Sequence, residues 1–171
     1  MVILRATQKV LRYLPAPSVV DSDSDTALGD WYANRVVFNR HPFLLLVSAR
    51  SLLATIIPAR DVRDFPLRLA DTVSHRLRRL GVAEHWVERE SEAMQDVVVA
   101  KTNDRSVLGT MNDFANIIPF YLGESRMRES LLWAVEEKLA EIPCRVTRRL
   151  QDSIHPARKA VELLEEKWKG N

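Results

Sequence analysis

Apolar and polar positions divide the chain into short extended runs near the N-terminus and longer helical stripes after them. Val2 to Leu4 reads as a short strand. Thr7 to Leu14 reads as a short helix, with Val10, Leu11 and Leu14 at helical spacing and Thr7 as its cap. Pro15 and Pro17 end it. Ser18 to Asp30 is polar, with Asp21, Asp23 and Asp25 alternating with serines, and predicts an exposed loop. Trp31–Asn39, Phe43–Ser48 and Leu52–Ile57 are rich in aromatic, β-branched and other apolar residues and predict three strands. Their connections are too short for parallel crossovers, so they predict an antiparallel meander.

Asp64-Phe65-Pro66 opens a helix, with Asp64 as cap and proline in the first turn. Its buried stripe is Phe65, Leu69, Val73, Leu77 and Leu80, and Gly81 ends it. Ala83 to Met94 predicts a second helix. Gln95 to Lys101 predicts a fourth main strand through Val97, Val98 and Val99, and Ser106 to Leu122 a largely apolar helix closed by Gly123. Ser125 to Ile142 carries Met127, Leu131, Val135, Leu139 and Ile142 on one face. A final amphipathic helix runs from Pro156 through Trp168, with Ala160, Leu164 and Trp168 at four-residue spacing.

A chain of 171 residues with 46% apolar and 28% charged residues is ordinary globular chemistry and long enough for a core without staples. The net charge of +2 neither predicts nor excludes nucleic acid; only a local patch would argue for it. The lone cysteine, Cys144, permits no intrachain disulfide, which suits a reducing compartment. The N-terminus carries Arg5, Lys9 and Arg12 inside its apolar pattern and has no signal-peptide core, and no apolar run approaches a membrane span. The expectation is a soluble, cytoplasmic protein without membrane contact.

No motif assigns a cofactor or a metal. Asp21, Asp23 and Asp25 open like a calcium loop, but Thr26 stands where glycine is needed and Tyr32 where a bidentate glutamate is needed. His41, His75, His85 and His155 form no ligand spacing. Nucleophile elbows and glycine-rich phosphate loops are absent, and Cys144 has no identifiable histidine partner.

Three features carry candidate chemistry. The helix after Asp64 places Arg68, Thr72, His75 and Arg79 along one flank of its apolar stripe, at about 100° per residue. Such a row suits phosphates, and a solvated face is the plain alternative. Lys101 to Asp113 runs from a strand end into a helix start, where free N–H groups attract anions and Lys101 and Arg105 add charge. Thr102 lies in that turn. Gly109 weakens the helix by up to about 1 kcal/mol relative to alanine, which implies close backbone packing or close approach of a ligand. Asn112, one turn beyond Gly109, places an amide on the same flank. Capping by Asp104 or Ser106 is the plain alternative. Finally, Asn34 lies inside a strand, where asparagine is disfavoured, so it needs a specific partner, a backbone group or a ligand.

Gly29-Asp30-Trp31-Tyr32-Ala33-Asn34, the later Lys101-Thr102-x-Asp104-Arg105-Ser106-x-Leu108-Gly109-x-Met111-Asn112 and the opening Leu4-Arg5-Ala6-Thr7-Gln8-Lys9-Val10-Leu11 resemble a family of uncharacterised bacterial proteins, a domain of unknown function. The resemblance spans roughly Val2 to Phe114. It implies the extent of the domain and a bacterial origin, and supplies no activity, cofactor or catalytic residue.

The sequence thus predicts an α+β fold: an antiparallel sheet of about four strands covered by helices over residues 1–123, with residues 124–171 as C-terminal helices packed on it. It supports a non-catalytic binding module contacting nucleic acid or a partner protein through the Lys101–Arg105 turn and the arginine-rich helix. An alternative is a metal-independent enzyme on a phosphate-bearing substrate such as RNA. In that case Lys101 and Arg105 stabilise charge, Asn34 and Asn112 orient substrate, and Tyr32 or His75 moves protons. A further alternative is an oligomerisation protein using the C-terminal helices, where Trp168 docks on the domain or buries in a partner.

Overall fold

A computed structural model describes residues 1–123, 128–145 and 153–169 of the chain. The strands are β1 (Val2–Ala6), β2 (Trp31–Phe38), β3 (His41–Ser48), β4 (Ala54–Pro58), β5 (Val97–Lys101), β6 (Cys144–Arg145) and β7 (Ser153–Ile154). The helices are α1 (Gln8–Leu11), α2 (Phe65–Arg79), α3 (Glu84–Ala93), α4 (Arg105–Leu122), α5 (Glu129–Glu141) and α6 (Pro156–Trp168). Ser125, where the helix of α5 was expected to start, and Met127 of its stripe lie outside the described residues.

Five strands form one sheet in the order β4-β3-β2-β1-β5, and β6 and β7 form a separate antiparallel pair. The meander β2-β3-β4 is antiparallel, with Trp31 opposite Ser48 and Phe43 opposite Pro58. The fold class differs from the expectation. The large sheet is mixed, and the architecture is α/β, because Val2–Ala6 enters the middle of the sheet and pairs in parallel with β2 on one side and β5 on the other. All five residues of β1 are buried, as a strand covered on both faces requires. A run this short advertises a strand but not its neighbours. Both partners reach it through crossovers long enough for parallel pairing.

Strand alternation sends side chains to two cores. Val2, Leu4, Trp31, Ala33, Leu44 and Leu46 pack with Phe65, Leu69, Val73 and Leu77 of α2, Val87 of α3, and Ala160, Leu163 and Leu164 of α6. Tyr32, Phe43, Leu45 and Val47 pack on the other face with Val107, Met111, Phe114 and Ile118 of α4 and with Leu132, Val135 and Leu139 of α5. α5 touches β4, α4 and α6. Its Glu136 covers the outer edge of β4 by accepting hydrogen bonds from the Ile56 N–H at 2.5 Å and the Thr55 hydroxyl at 2.6 Å.

Residues 18–30 divide into two parts. Asp21 to Asp23 are exposed, as expected, but Thr26 to Leu28 are buried. The Ala27 and Leu28 N–H groups donate to the buried carboxylate of Glu90, which also accepts from the Trp168 indole at 3.0 Å. Burial raises the Glu90 carboxyl above the ordinary carboxylate range against those three donors. Trp168 therefore docks α6 onto α3 and onto the segment leading into β2. Among the described residues, no helix is long and apolar enough to cross a membrane.

Candidate functional site

In an open α/β sheet, the crevice outside the strands' carboxyl ends lies where neighbouring strands send their connections to opposite faces. That condition is met between β1 and β5. After β1 the chain turns to α1, whose Val10 joins the α2 side, whereas after β5 it enters α4 on the opposite side. Side chains from three separate segments gather around this switch: Arg5, Asp30 with Tyr32, and Lys101 with Arg105.

Arg5 is the centre of the arrangement. It stands beside Tyr32 in the parallel register, on the face covered by α4. Its Nε donates to Asp30 and its Nη1 to the Lys101 carbonyl at 3.1 Å, so one guanidinium joins β1, the start of β2 and the end of β5. Asp30 also accepts from the Ser24 hydroxyl at 2.6 Å, and Ser24 receives the Ile3 N–H. The Tyr32 phenol donates to Oδ1 of Asn103 at 2.5 Å. Burial pushes that phenol above the ordinary tyrosine range, so it is neutral at physiological pH and poorly suited to act as a base.

A cavity of about 770 Å³ opens here, lined by Arg5, Asp30, Tyr32, Arg50, Asn103 and Arg105 among others. A second, of about 510 Å³, shares Arg5 and Asn103 with it and adds Ser18, Val19, Lys101 and Thr102. Gly29 is required at the wall. Its φ is +73°, and a Cβ there would lie 2.8 Å from Cγ of Arg50. Arg50 thereby passes close over the backbone and donates to the Ala27 carbonyl at 3.2 Å.

The helix start is capped. Asp104 Oδ1 accepts the Ser106 N–H at 2.7 Å and the Val107 N–H at 3.3 Å, so a side chain already meets two of the four free donors of α4. Arg105 is exposed and lines the crevice, and Lys101 is exposed on the other side of it. Among the described residues neither side chain has an ion-pair or hydrogen-bond partner. By strand alternation Lys101 leaves β5 on the α2 side, while Arg105 opens α4, so two cations flank the switch from both faces.

The predicted residues fall into three places. Lys101, Thr102 and Arg105 lie on the crevice. Asn34 finds its partner in Thr7, whose hydroxyl lies 2.9 Å from its Oδ1, and it lines neither crevice cavity. Thr7 binds Asn34 in place of capping α1. Asn112 is exposed on α4 and lines neither crevice cavity. Arg68 and Arg79 come together with Thr72 and His75 in a different cavity of about 260 Å³, between α2, α5 and β4. The arginine charge on that helix is largely matched internally. Arg76 pairs with Glu137 at 2.7 Å, Arg78 with Glu84 at 2.5 Å and Arg79 with Glu136 at 2.5 Å. Arg68 donates to the carbonyls of Arg60 and Asp61. His75 stacks on Trp133 there, away from the crevice.

Sequence reading missed Arg5, Asp30, Arg50 and Asn103. The available signal was Arg5, a charged residue inside the apolar run Val2–Ala6. Cys144 is buried, and its thiol is pushed up to about 11 by burial, which holds it in the thiol form at neutral pH.

No curated protein matches the chain. A family profile described as a domain of unknown function, DUF6933, matches residues 3–159, which is most of its length, and the chain belongs to that family.

Proposed function

We propose that the protein is a non-catalytic binding module that holds a phosphate-bearing ligand in the crevice between the carboxyl ends of β1 and β5. The observation that carries this reading is the pair of exposed cations, Lys101 and Arg105, which lie on opposite sides of the topological switch and have no ion-pair or hydrogen-bond partner among the described residues. Arg5 and Asp30 neutralise each other and act as the scaffold beneath them. Arg50, Lys101 and Arg105 outnumber Asp23 and Asp104 along the two cavities, and that excess of positive charge suits phosphate oxygens.

The binding reading is favoured over catalysis by the state of the proton-transfer candidates. Tyr32 is buried and committed to Asn103, and His75 sits in the cavity between α2 and α5. The arginine row of α2 contributes less than its composition suggests, because its charges are matched by Glu84, Glu136 and Glu137.

Fluorescence anisotropy with a labelled oligonucleotide and a labelled nucleoside triphosphate, at low and moderate salt, tests the reading. The expected result is salt-sensitive binding that the double change Lys101→Ala and Arg105→Ala weakens by roughly tenfold or more. If neither probe binds at low salt, or the double variant binds as the parent does, the crevice is not a phosphate site.

A further inference from the structure

Gly109 lies in the second turn of α4. Glycine is the weakest ordinary helix former, so a helix keeps one at a cost that some contact must explain. The usual explanation is a neighbour that leaves no room for a Cβ. Among the described residues, a Cβ built on Gly109 meets no atom within 4 Å, and its φ is not positive. Packing among the described residues therefore does not require the glycine. Its effect is to leave bare helix backbone on the floor of a cavity of about 540 Å³, bounded by Ser106, Asp113 and Asn116 on α4 and by Ile142 and Arg145 across from it.

This cavity shares Arg105 with the crevice. From Arg105 to Asn116 the helix advances about 16 Å at its ordinary rise, well beyond the reach of one phosphate group. Asp113 has no hydrogen-bond or ion-pair partner among the described residues. A carboxylate accepts hydrogen bonds and repels phosphate, so this position selects hydroxyl or amino donors. Asn116 beside it offers both a donor and an acceptor.

From this geometry we infer that the ligand is a single-stranded RNA. Its phosphates meet Lys101 and Arg105, its chain passes over Gly109, and its ribose hydroxyls and base edges face Asp113 and Asn116. The inference rests on the proposed phosphate-binding crevice and adds the chemical class and the path of the ligand. An unpaired strand fits because base edges reach a concave floor only when they are not paired to another strand. The 2′-hydroxyl is the donor that DNA lacks.

The test is anisotropy on the full chain with labelled single-stranded RNA of about twelve nucleotides, a DNA of the same sequence and length, and an RNA dinucleotide as competitor. The long RNA is expected to bind roughly tenfold tighter than either. Gly109→Gln adds a side chain to the open floor and is a better helix former, so circular dichroism of this variant should match the parent. It should weaken the long RNA about tenfold and leave the dinucleotide within about twofold. Asp113→Asn should narrow the preference for RNA over DNA. Equal affinity for RNA and DNA, or an unchanged long-RNA affinity in Gly109→Gln, overturns the RNA path. If the dinucleotide competes as well as the long strand and depends on Lys101 and Arg105, the crevice stands and the strand path falls. No binding by any probe removes both.

Discussion

The phenol of Tyr32 donates a 2.5 Å hydrogen bond to Oδ1 of Asn103, linking the start of β2 to the loop between β5 and α4 across 71 positions of sequence. The ring is buried in the core beneath α4, and the bond fixes the loop that carries Asn103 and Asp104. Tyr32→Phe keeps the ring and removes the bond, so it should cost about 1 kcal/mol in urea unfolding. It should also change the alkaline limb. Burial raises the folded-state pKa of Tyr32, so the stability it confers is fully present below the unfolded tyrosine pKa of about 10 and is lost as pH rises through the higher folded value. The parent should lose stability more steeply above about pH 10 than Tyr32→Phe does. Parallel alkaline limbs would show that the phenol is not held by burial.

The salt dependence of binding separates the crevice from the arginine row of α2. Each cation that meets a phosphate contributes about one unit to the slope of log affinity against log salt. Lys101→Ala and Arg105→Ala should each reduce that slope by about 1. Arg68→Ala should leave it unchanged, because Arg68 lies in the cavity between α2 and α5 and donates to the carbonyls of Arg60 and Asp61. A slope that responds to Arg68 and not to Lys101 would move the interface to α2.

Asp104 gives opposite signs in two measurements. Its carboxylate caps α4, and it also places a negative charge on the crevice wall. Asp104→Ala should cost about 1 kcal/mol of stability through the lost cap. The same change removes a charge that opposes phosphate and frees two N–H donors, so affinity for an anionic probe should rise. A variant that is both less stable and weaker in binding would mean that Asp104 holds Arg105 in position.

What the sequence disclosed and what it hid follow from the range of the interactions. The β2-β3-β4 meander and the stripe of α2 depend on alternation, helical period and short turns, all local signals. The helix after Asp64 was placed correctly, although Asp64 makes no side-chain cap there. The place of β1 was hidden because its partners, Trp31–Ala33 and Val97–Lys101, are distant in sequence, and parallel pairing has no turn signature. The segment Lys101–Arg105 was legible as a strand-to-helix turn. Its companion Arg5 was not, since pairing with Asp30 and the Lys101 carbonyl is visible only after β1 and β5 lie side by side. Asn34 was marked as needing a backbone group or a ligand, whereas the side chain of Thr7 meets that need.

Glu136 tests whether the edge of the sheet is protected by charge. Its carboxylate is buried and binds the Thr55 hydroxyl, the Ile56 N–H and Nη2 of Arg79, with Nε of Arg76 at 3.9 Å. Arg76 is fully buried, so removing its acidic neighbour strands positive charge in the interior. Glu136→Ala should cost about 3–5 kcal/mol in urea unfolding. Glu136→Gln keeps an acceptor for Ile56 and Thr55 and should cost less. Both changes also weaken the cover over the outer edge of β4, an edge otherwise blunted by Pro58 at its end. Light scattering should therefore show faster association for Glu136→Ala than for the parent under mildly destabilising conditions. Binding of phosphate-bearing probes by the folded fraction should not change, because Glu136 lines the cavity between α2 and α5 and not the crevice. A cost below about 1 kcal/mol would mean that Glu137 alone compensates the two arginines and that the edge is guarded by the bulk of α5.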